Sequence, residues 1–471
     1  MNQSRRSFIR QSALASTAFG AFTISGTKSS GKVIGANERV NVAVCGIKGR
    51  GASHIGGHGR QKNVTISHLV DPDSSLYDGR KKFVTSKFKN TPDCVQDVRK
   101  VLDNKDVDVI SIATPNHWHS LMSIWACQAG KDVYVEKPLS HNIFEGKKLV
   151  EAAKKYGRIV QHGTQNRSVQ KWADQAQDIA AGKHGKLEVA LGTCHKRRGS
   201  IGFKNTEKPP AALDFDIWTG PAQKEDFHKN LVHYNWHWFW KYGNGDIGNQ
   251  GVHQMDIARW MIPGARWPKS VVSVGGRFGY EDQGQTANTQ LTIFDYGESL
   301  LVFDVRGLSG KSNMGVSNKV YFDKGASQKT SKSYDLKGIR NPLSDRGKGD
   351  IFENFIHAVR SRKTEDLNAH VYEGHVSSGL CHLANVSYQL GEKQGFDKKT
   401  NAFGNNKKAS EYFERMKEHL KENGLKLEDT DYVVGRTLEF DSKTESIKGD
   451  DEANKLLTRD YRAPFVVPEK V

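Results

Sequence analysis

The chain has 471 residues, 36% of them hydrophobic, with nine Trp and 21 Phe. That suits two or three domains with packed cores. Lys and Arg outnumber Asp and Glu 70 to 53, but the lysines spread from end to end without an Arg-rich arm or aromatic-interleaved basic block, so no nucleic-acid partner is expected.

At the N-terminus, Ser4-Arg5-Arg6-Ser7-Phe8-Ile9-Arg10 precedes a weakly apolar stretch over residues 13–26. Paired arginines before a mild hydrophobic segment read as a twin-arginine export signal, placed here at residues 1–34. The expectation is a periplasmic protein, handed folded to the twin-arginine export machinery, with no membrane association in its mature form. No run approaches the roughly 18 apolar residues of a membrane helix. Five widely spaced cysteines without a CxxC pair give no disulfide framework, and none precedes Cys45 to carry a lipid anchor.

Residues 40–46 have a buried-strand pattern and run into Gly46-Ile47-Lys48-Gly49-Arg50-Gly51, after which a helix can open. Strand, glycine-rich turn and helix is the context of a dinucleotide-binding loop, although Lys48 stands where the second glycine is expected. Gly46, Lys48, Gly49, Arg50 and Gly51 are therefore assigned to a pyrophosphate, which meets the helix N-terminus. A second strand over 64–70 ends at Asp71, 20 residues past Gly51. A carboxylate there accepts from ribose hydroxyls and repels a 2′-phosphate, which favours NAD over NADP.

The strand 107–113 ends in Thr114-Pro115-Asn116-His117-Trp118-His119, and the strand 133–135 ends in Glu136-Lys137-Pro138. Strand carboxyl ends in a parallel sheet face the ligand, so Thr114, Pro115, Asn116, His119, Glu136 and Lys137 are assigned to the cofactor. His117 and His119 have no evident third ligand, and no metal is expected.

GIKGRG, the strand-end Asp71, TPNHWH and EKP, in this order, resemble the Gfo/Idh/MocA oxidoreductases over about residues 38–390. The resemblance implies an α/β fold: an N-terminal NAD-binding Rossmann domain over 38–160, then a substrate-binding α+β domain over 161–396 with a large, mostly antiparallel sheet. It also implies a homo-oligomer, since open sheet faces in the family pair. The family's second motif should lie downstream, and residues 243–260 (GNGDIGNQGVHQMDIARW) have its glycine-rich loop and helical spacing. The family carries Asp and His four apart here; this chain has Asn249 and His253. Asn cannot ionise, so Asn249 is assigned to a substrate hydroxyl or to orienting His253.

Lys137 and His253 are the catalytic candidates. Alcohol oxidation needs a hydride acceptor, a base and a group that stabilises the alkoxide. Imidazole titrates near neutrality, and burial beside nicotinamide would lower Lys137. The stretch VHYNWHWFWKY over 232–242 supplies Trp236, His237 and Trp238 as a sugar-stacking wall. The charged extension 397–471 has no chemical role assigned. The expected function is NAD-dependent oxidation of a secondary hydroxyl of a sugar or glycoside, with C3 oxidation to a 3-keto product as one form and NAD held tightly. The alternative is a redox-neutral glycosidase that oxidises C3 transiently and eliminates the aglycone. A third reading is a non-catalytic sugar-binding protein.

Overall fold

The computed structural model describes residues 39–323, 333–335, 349–398 and 400–471; the expected export segment lies outside them. Six strands form a wholly parallel first sheet: β1 (Val40–Cys45), β2 (Val64–Val70), β3 (Asp93–Val95), β4 (Val109–Ile112), β5 (Asp132–Val135) and β6 (Val160–His162). Their spatial order is β3-β2-β1-β4-β5-β6. The order reverses beside β1, and a crevice opens there at the strand ends, the usual ligand position of such sheets. β6 carries the sheet to His162, two residues beyond the boundary expected from sequence.

Both faces of this sheet are covered, which is why its strands read as continuous apolar runs. On one face Ile110, Ile112 and Val133 pack with Leu121 and Trp125 of the helix Asn116–Gln128. On the other, Val42, Val44 and Tyr134 pack with Phe352, Phe355 and Ile356 of the distant helix Ile351–Ser361. Asp350 caps that helix by accepting from the backbone N–H groups of Phe352 and Glu353.

Among the described residues the second sheet has ten strands and is mixed, mostly antiparallel. β7 (Leu187–His195), β8 (Ser270–Gly276), β9 (Thr289–Asp295), β10 (Leu300–Arg306), β11 (Val316–Phe322) and β12 (Ser333–Asp335) come first in the chain. β13 (Glu392–Gly395) and β14 (Asp431–Val434) extend it beyond β8, and β7 with β10 is its parallel pair. One face buries the helices Val252–Trp260 and Val371–Gln389 through Met255, Ile257, Leu380 and Leu383. The other face is covered by the extension. Tyr412, Phe413, Met416 and Leu420 of the helix Lys407–Glu422 pack on Val272, Val274, Leu291 and Val302.

The last residues return to the first domain. Phe465 is buried against Trp118 and Trp125, with the Arg99 guanidinium 5.0 Å from its ring centroid. Among the described residues no helix is long and apolar enough to cross a membrane, and no cluster of His, Cys, Asp and Glu could hold a metal.

Candidate active site

The glycine turn closes on itself. A Cβ on Gly51 would collide with the Gly46 carbonyl oxygen, and one on Gly46 would collide with the backbone at Ala113. Gly46 also has φ +77°, which an L side chain resists. A Cβ on Gly49 would instead meet nothing within 4 Å. The turn is thus compact behind and open in front, toward the cavity at the sheet ends.

That cavity is walled by Gly46, Lys48, Gly49, Arg50 and Asp71 from the first half of the sheet. Thr114, Pro115, Asn116, His119, Glu136 and Lys137 wall it from the second half. Gly51 alone of the assigned cofactor residues does not line it; its place is inside the turn. The Thr114 hydroxyl is buried and has no protein partner, so a donor and acceptor stand ready for a ligand. Turn, open front and unsatisfied hydroxyl fit a dinucleotide.

Asp71 holds the turn from below, accepting from the Ile47 N–H (2.8 Å) and the Asp73 N–H (3.0 Å). Burial nevertheless raises its carboxyl to about 6. Glu136 Oε1 accepts from Arg50 Nε (2.6 Å) and lies 3.1 Å from His54 Nε2, while Oε2 accepts from the Lys137 N–H (3.2 Å). Burial opposes this charge, but His54 and Arg50 hold the Glu136 carboxyl well below the usual carboxylate range. EKP and the glycine loop are therefore one unit, joined by Arg50. His119 has both ring nitrogens on backbone carbonyls, Pro138 O at 2.6 Å and Thr114 O at 2.8 Å. It braces the two strand ends and has no free nitrogen for a cofactor.

The second domain reaches the same cavity through a π-helical turn, Ile247–Gly251, that leads into the helix Val252–Trp260. Lys137 Nζ donates to the Asn249 carbonyl (2.8 Å) and lies 3.3 Å from Asn249 Oδ1. Asn249 thus grips the lysine as well as lining the cavity. Burial lowers Lys137 despite the neighbouring Glu136 charge. His253 stands one helical turn on, half-buried, and is not part of the cavity wall; its Nδ1 is buried without a partner. Burial first, and then the Lys137 charge, lower it to about 3. Near-neutral titration, the basis on which the sequence favoured His253 as base, does not hold in this setting. Three residues on, Asp256 is clasped by Arg167 at 2.8 to 3.0 Å, which fixes this helix to the short turn Gln165–Ser168 that follows β6.

Trp236 and His237 line the cavity, with rings stacked 3.6 Å apart. Trp238 does not, contrary to its assignment: it is buried, with the Arg198 guanidinium 5.3 Å from its ring centroid. The 3-10 turn Asn235–Trp238 leaves Trp236 and His237 on the cavity and carries Trp238 away from it. His233 and Tyr234 take part instead, residues that in sequence are only members of the aromatic run 232–242. His233 Nε2 lies 2.8 Å from Asp73 Oδ2, tying the aromatic loop to the end of β2.

Comparison with known proteins agrees with this architecture. A profile described as "Oxidoreductase family, NAD-binding Rossmann fold" matches residues 40–164, and its companion, "C-terminal alpha/beta domain", matches 198–422. The chain belongs to the Gfo/Idh/MocA oxidoreductase family. Its first domain is accordingly an NAD-binding Rossmann domain.

A levoglucosan dehydrogenase from Pseudarthrobacter phenanthrenivorans is 27% identical over 175 residues, 37% of each chain. A glycosyl hydrolase family 109 protein from Shewanella pealeana is 29% identical over 129 residues, 26% of this chain and 28% of that protein. The scyllo-inositol 2-dehydrogenase (NAD+) of Bacillus subtilis is 37% identical over 91 residues, 19% of this chain and 27% of its own. The matched segments thus span 27 to 37% of these relatives. Among solved structures, the WlbA dehydrogenase of Chromobacterium violaceum, in complex with NADH and UDP-GlcNAcA, superposes with a TM-score of 0.56 at 17% identity. The match covers 74% of this chain and 94% of that one. At that identity the likeness establishes the fold.

Proposed function

We propose that the protein oxidises a secondary hydroxyl of a sugar or glycoside with NAD, which it holds tightly. The observation that carries this reading is the meeting of Lys137 and Asn249 at 2.8 Å, from opposite domains, on the wall of the cofactor cavity. The nicotinamide, when bound, supplies the hydride acceptor. Gly46, Gly49 and Lys48 would hold the pyrophosphate, Asp71 the ribose, and Thr114 and Asn116 the approach to the nicotinamide.

Lys137 is placed to turn from Asn249 to a substrate oxygen. As an ammonium it donates to that oxygen and stabilises negative charge there; as an amine it can take the hydroxyl proton. His253 is neutral and so able to receive a proton, but with little basicity while Lys137 is charged. Proton acceptance falls to the two together: burial is the larger cause of the low basicity of His253 and the Lys137 charge the second, so loss of the Lys137 proton restores part of it. Asn249 carries no charge and positions Lys137. Trp236 and His237 offer a flat wall for the C–H face of a sugar ring.

The family 109 glycosyl hydrolase relative supports a second reading, redox-neutral glycoside cleavage through a transient keto sugar. The Arg5-Arg6 segment supports export to the periplasm, where free NAD is scarce and a captured cofactor is an advantage. Incubation with a panel of aryl glycosides decides between the chemistries. A keto sugar with reduced cofactor marks the dehydrogenase. Free aglycone without net redox marks the glycosidase. Neither product from any glycoside would count against both.

A further inference from the structure

We infer that the chain carries a second ligand site, for a saccharide ring, on the reverse side of the aromatic loop, with Trp240 as its platform and Arg459 as its polar anchor. The loop 233–244 has two sides. His233, Tyr234, Trp236 and His237 face the cofactor cavity, whereas Trp240, Lys241 and Asn244 face another cavity of about 320 Å³. That volume lies within the range of ordinary small-molecule sites, roughly 300–1,000 Å³. The extension closes it: Leu456, Thr458, Arg459 and Asp460 form one wall, and the helix Val371–Gln389 forms the opposite one through Asn385 and Gln389.

The wall chemistry suits a sugar. Trp240 is half-buried, and its indole N–H donates to nothing among the described residues. An indole with a free N–H beside a flat face can take the C–H face and a hydroxyl of a pyranose together. Arg459 commits one nitrogen: Nη1 donates to the Lys241 carbonyl (2.9 Å) and to His141 Nδ1 (3.1 Å). It has no carboxylate at ion-pair distance among the described residues, so Nε and Nη2 remain available for hydroxyls or for a sugar carboxylate. His141 is held well below its ordinary pKa by burial and the Arg459 charge, so it stays a neutral acceptor for that guanidinium. Asn385 and Gln389 are anchored through their amide nitrogens, to the Asn244 and Asn385 carbonyls, which leaves both side-chain oxygens as acceptors.

The two cavities share a wall. Asn116 Nδ2 donates to Asn244 Oδ1 (2.9 Å), with Asn116 lining the first cavity and Asn244 the second. A saccharide in the second site therefore meets Asn244, which accepts from Asn116 and donates to the carbonyl of His141, four residues past Lys137.

The test is ligand binding by the full chain, independent of turnover. Calorimetric titration with methyl hexopyranosides and with sodium glucuronate is run on wild type, Trp240→Ala and Arg459→Lys. Wild type should bind one more sugar than Trp240→Ala, whose affinity at this site falls by roughly 10-fold or more, the scale of one lost stacking contact. Arg459→Lys should weaken glucuronate more than the neutral glycosides if the anchor takes a carboxylate, and both alike if it takes hydroxyls. If the proposed oxidation is wrong, the counts drop from one to zero instead of two to one, and this site still stands. Titrations identical in wild type and both variants, or no saturable binding to wild type at millimolar sugar, would overturn it.

Discussion

Lys137 and His253 are coupled through charge, and mutation should reveal them as one unit. Lys137→Ala and His253→Ala should each lower turnover by roughly 100-fold, the scale of lost acid–base catalysis. The double variant should be little worse than the worse single, because both serve one proton transfer. Near-normal turnover in His253→Ala would remove it from the pair. Asn249 tests the same coupling from the other side. Asn249→Asp places a carboxylate beside Lys137, which favours the ammonium and raises its pKa. The limb of the kcat/KM profile governed by Lys137 should then move to higher pH; an unmoved limb would mean that Asn249 does not set the lysine's charge.

Asp71 carries a pH dependence of its own. Burial lifts its carboxyl from 3.8 to about 6, so the folded value lies above the unfolded one. Ionisation therefore costs the empty protein stability as pH rises through about 4 to 6. Bound ribose hydroxyls offset that cost by donating to the carboxylate. NAD retention should weaken as pH falls below about 6, and Asp71→Asn should abolish the pH step, as measured by cofactor retained after gel filtration across the range. Equal retention at pH 5 and 8 would place the ribose elsewhere.

At the scale of elements, the extension helix Lys407–Glu422 decides what the large sheet can do. It covers the sheet face opposite the helices Val252–Trp260 and Val371–Gln389, and pairing of that face between copies would require it to leave. Met416 is fully buried there, so Met416→Ala should cost about 3 kcal/mol in denaturant unfolding. Truncation before residue 397 also removes β14 and uncovers Val272, Val274, Leu291 and Val302. The truncated chain should self-associate by light scattering while the full chain does not use this face. Full-length self-association abolished by Val302→Lys would contradict that. The π-helical turn Ile247–Gly251 is the other decisive element. It widens the helix entry enough to place the Asn249 backbone carbonyl on Lys137.

At the scale of the molecule, two domains close on one cavity, so cofactor and fold support each other. NAD should co-purify with the full chain, and mass spectrometry of the denatured protein should detect it. Its absence from freshly purified protein would mean exchange rather than capture. Replacing Arg5 and Arg6 by Lys should leave the precursor in the cytoplasm; undiminished periplasmic accumulation would refute the export reading.

The sequence by itself determined what depends on neighbours along the chain. The strand–turn–helix at Gly46, the acid closing β2 and the EKP strand end follow from local periodicity and glycine sterics, and with them the parallel sheet and its ligand edge. The second motif was legible too, including Asn249 in place of the family's Asp. Only the tertiary structure decided the rest, because it joins residues far apart in sequence. Arg50 meets Glu136, His233 meets Asp73, and Asn249 grips Lys137 instead of only facing substrate. Trp236 and Trp238 are indistinguishable as letters, and the twist of one short turn sends the first to the cavity and the second under Arg198. His253 kept its identity but not its basicity, since burial and a neighbouring cation set a pKa, and neither is written in the order of residues.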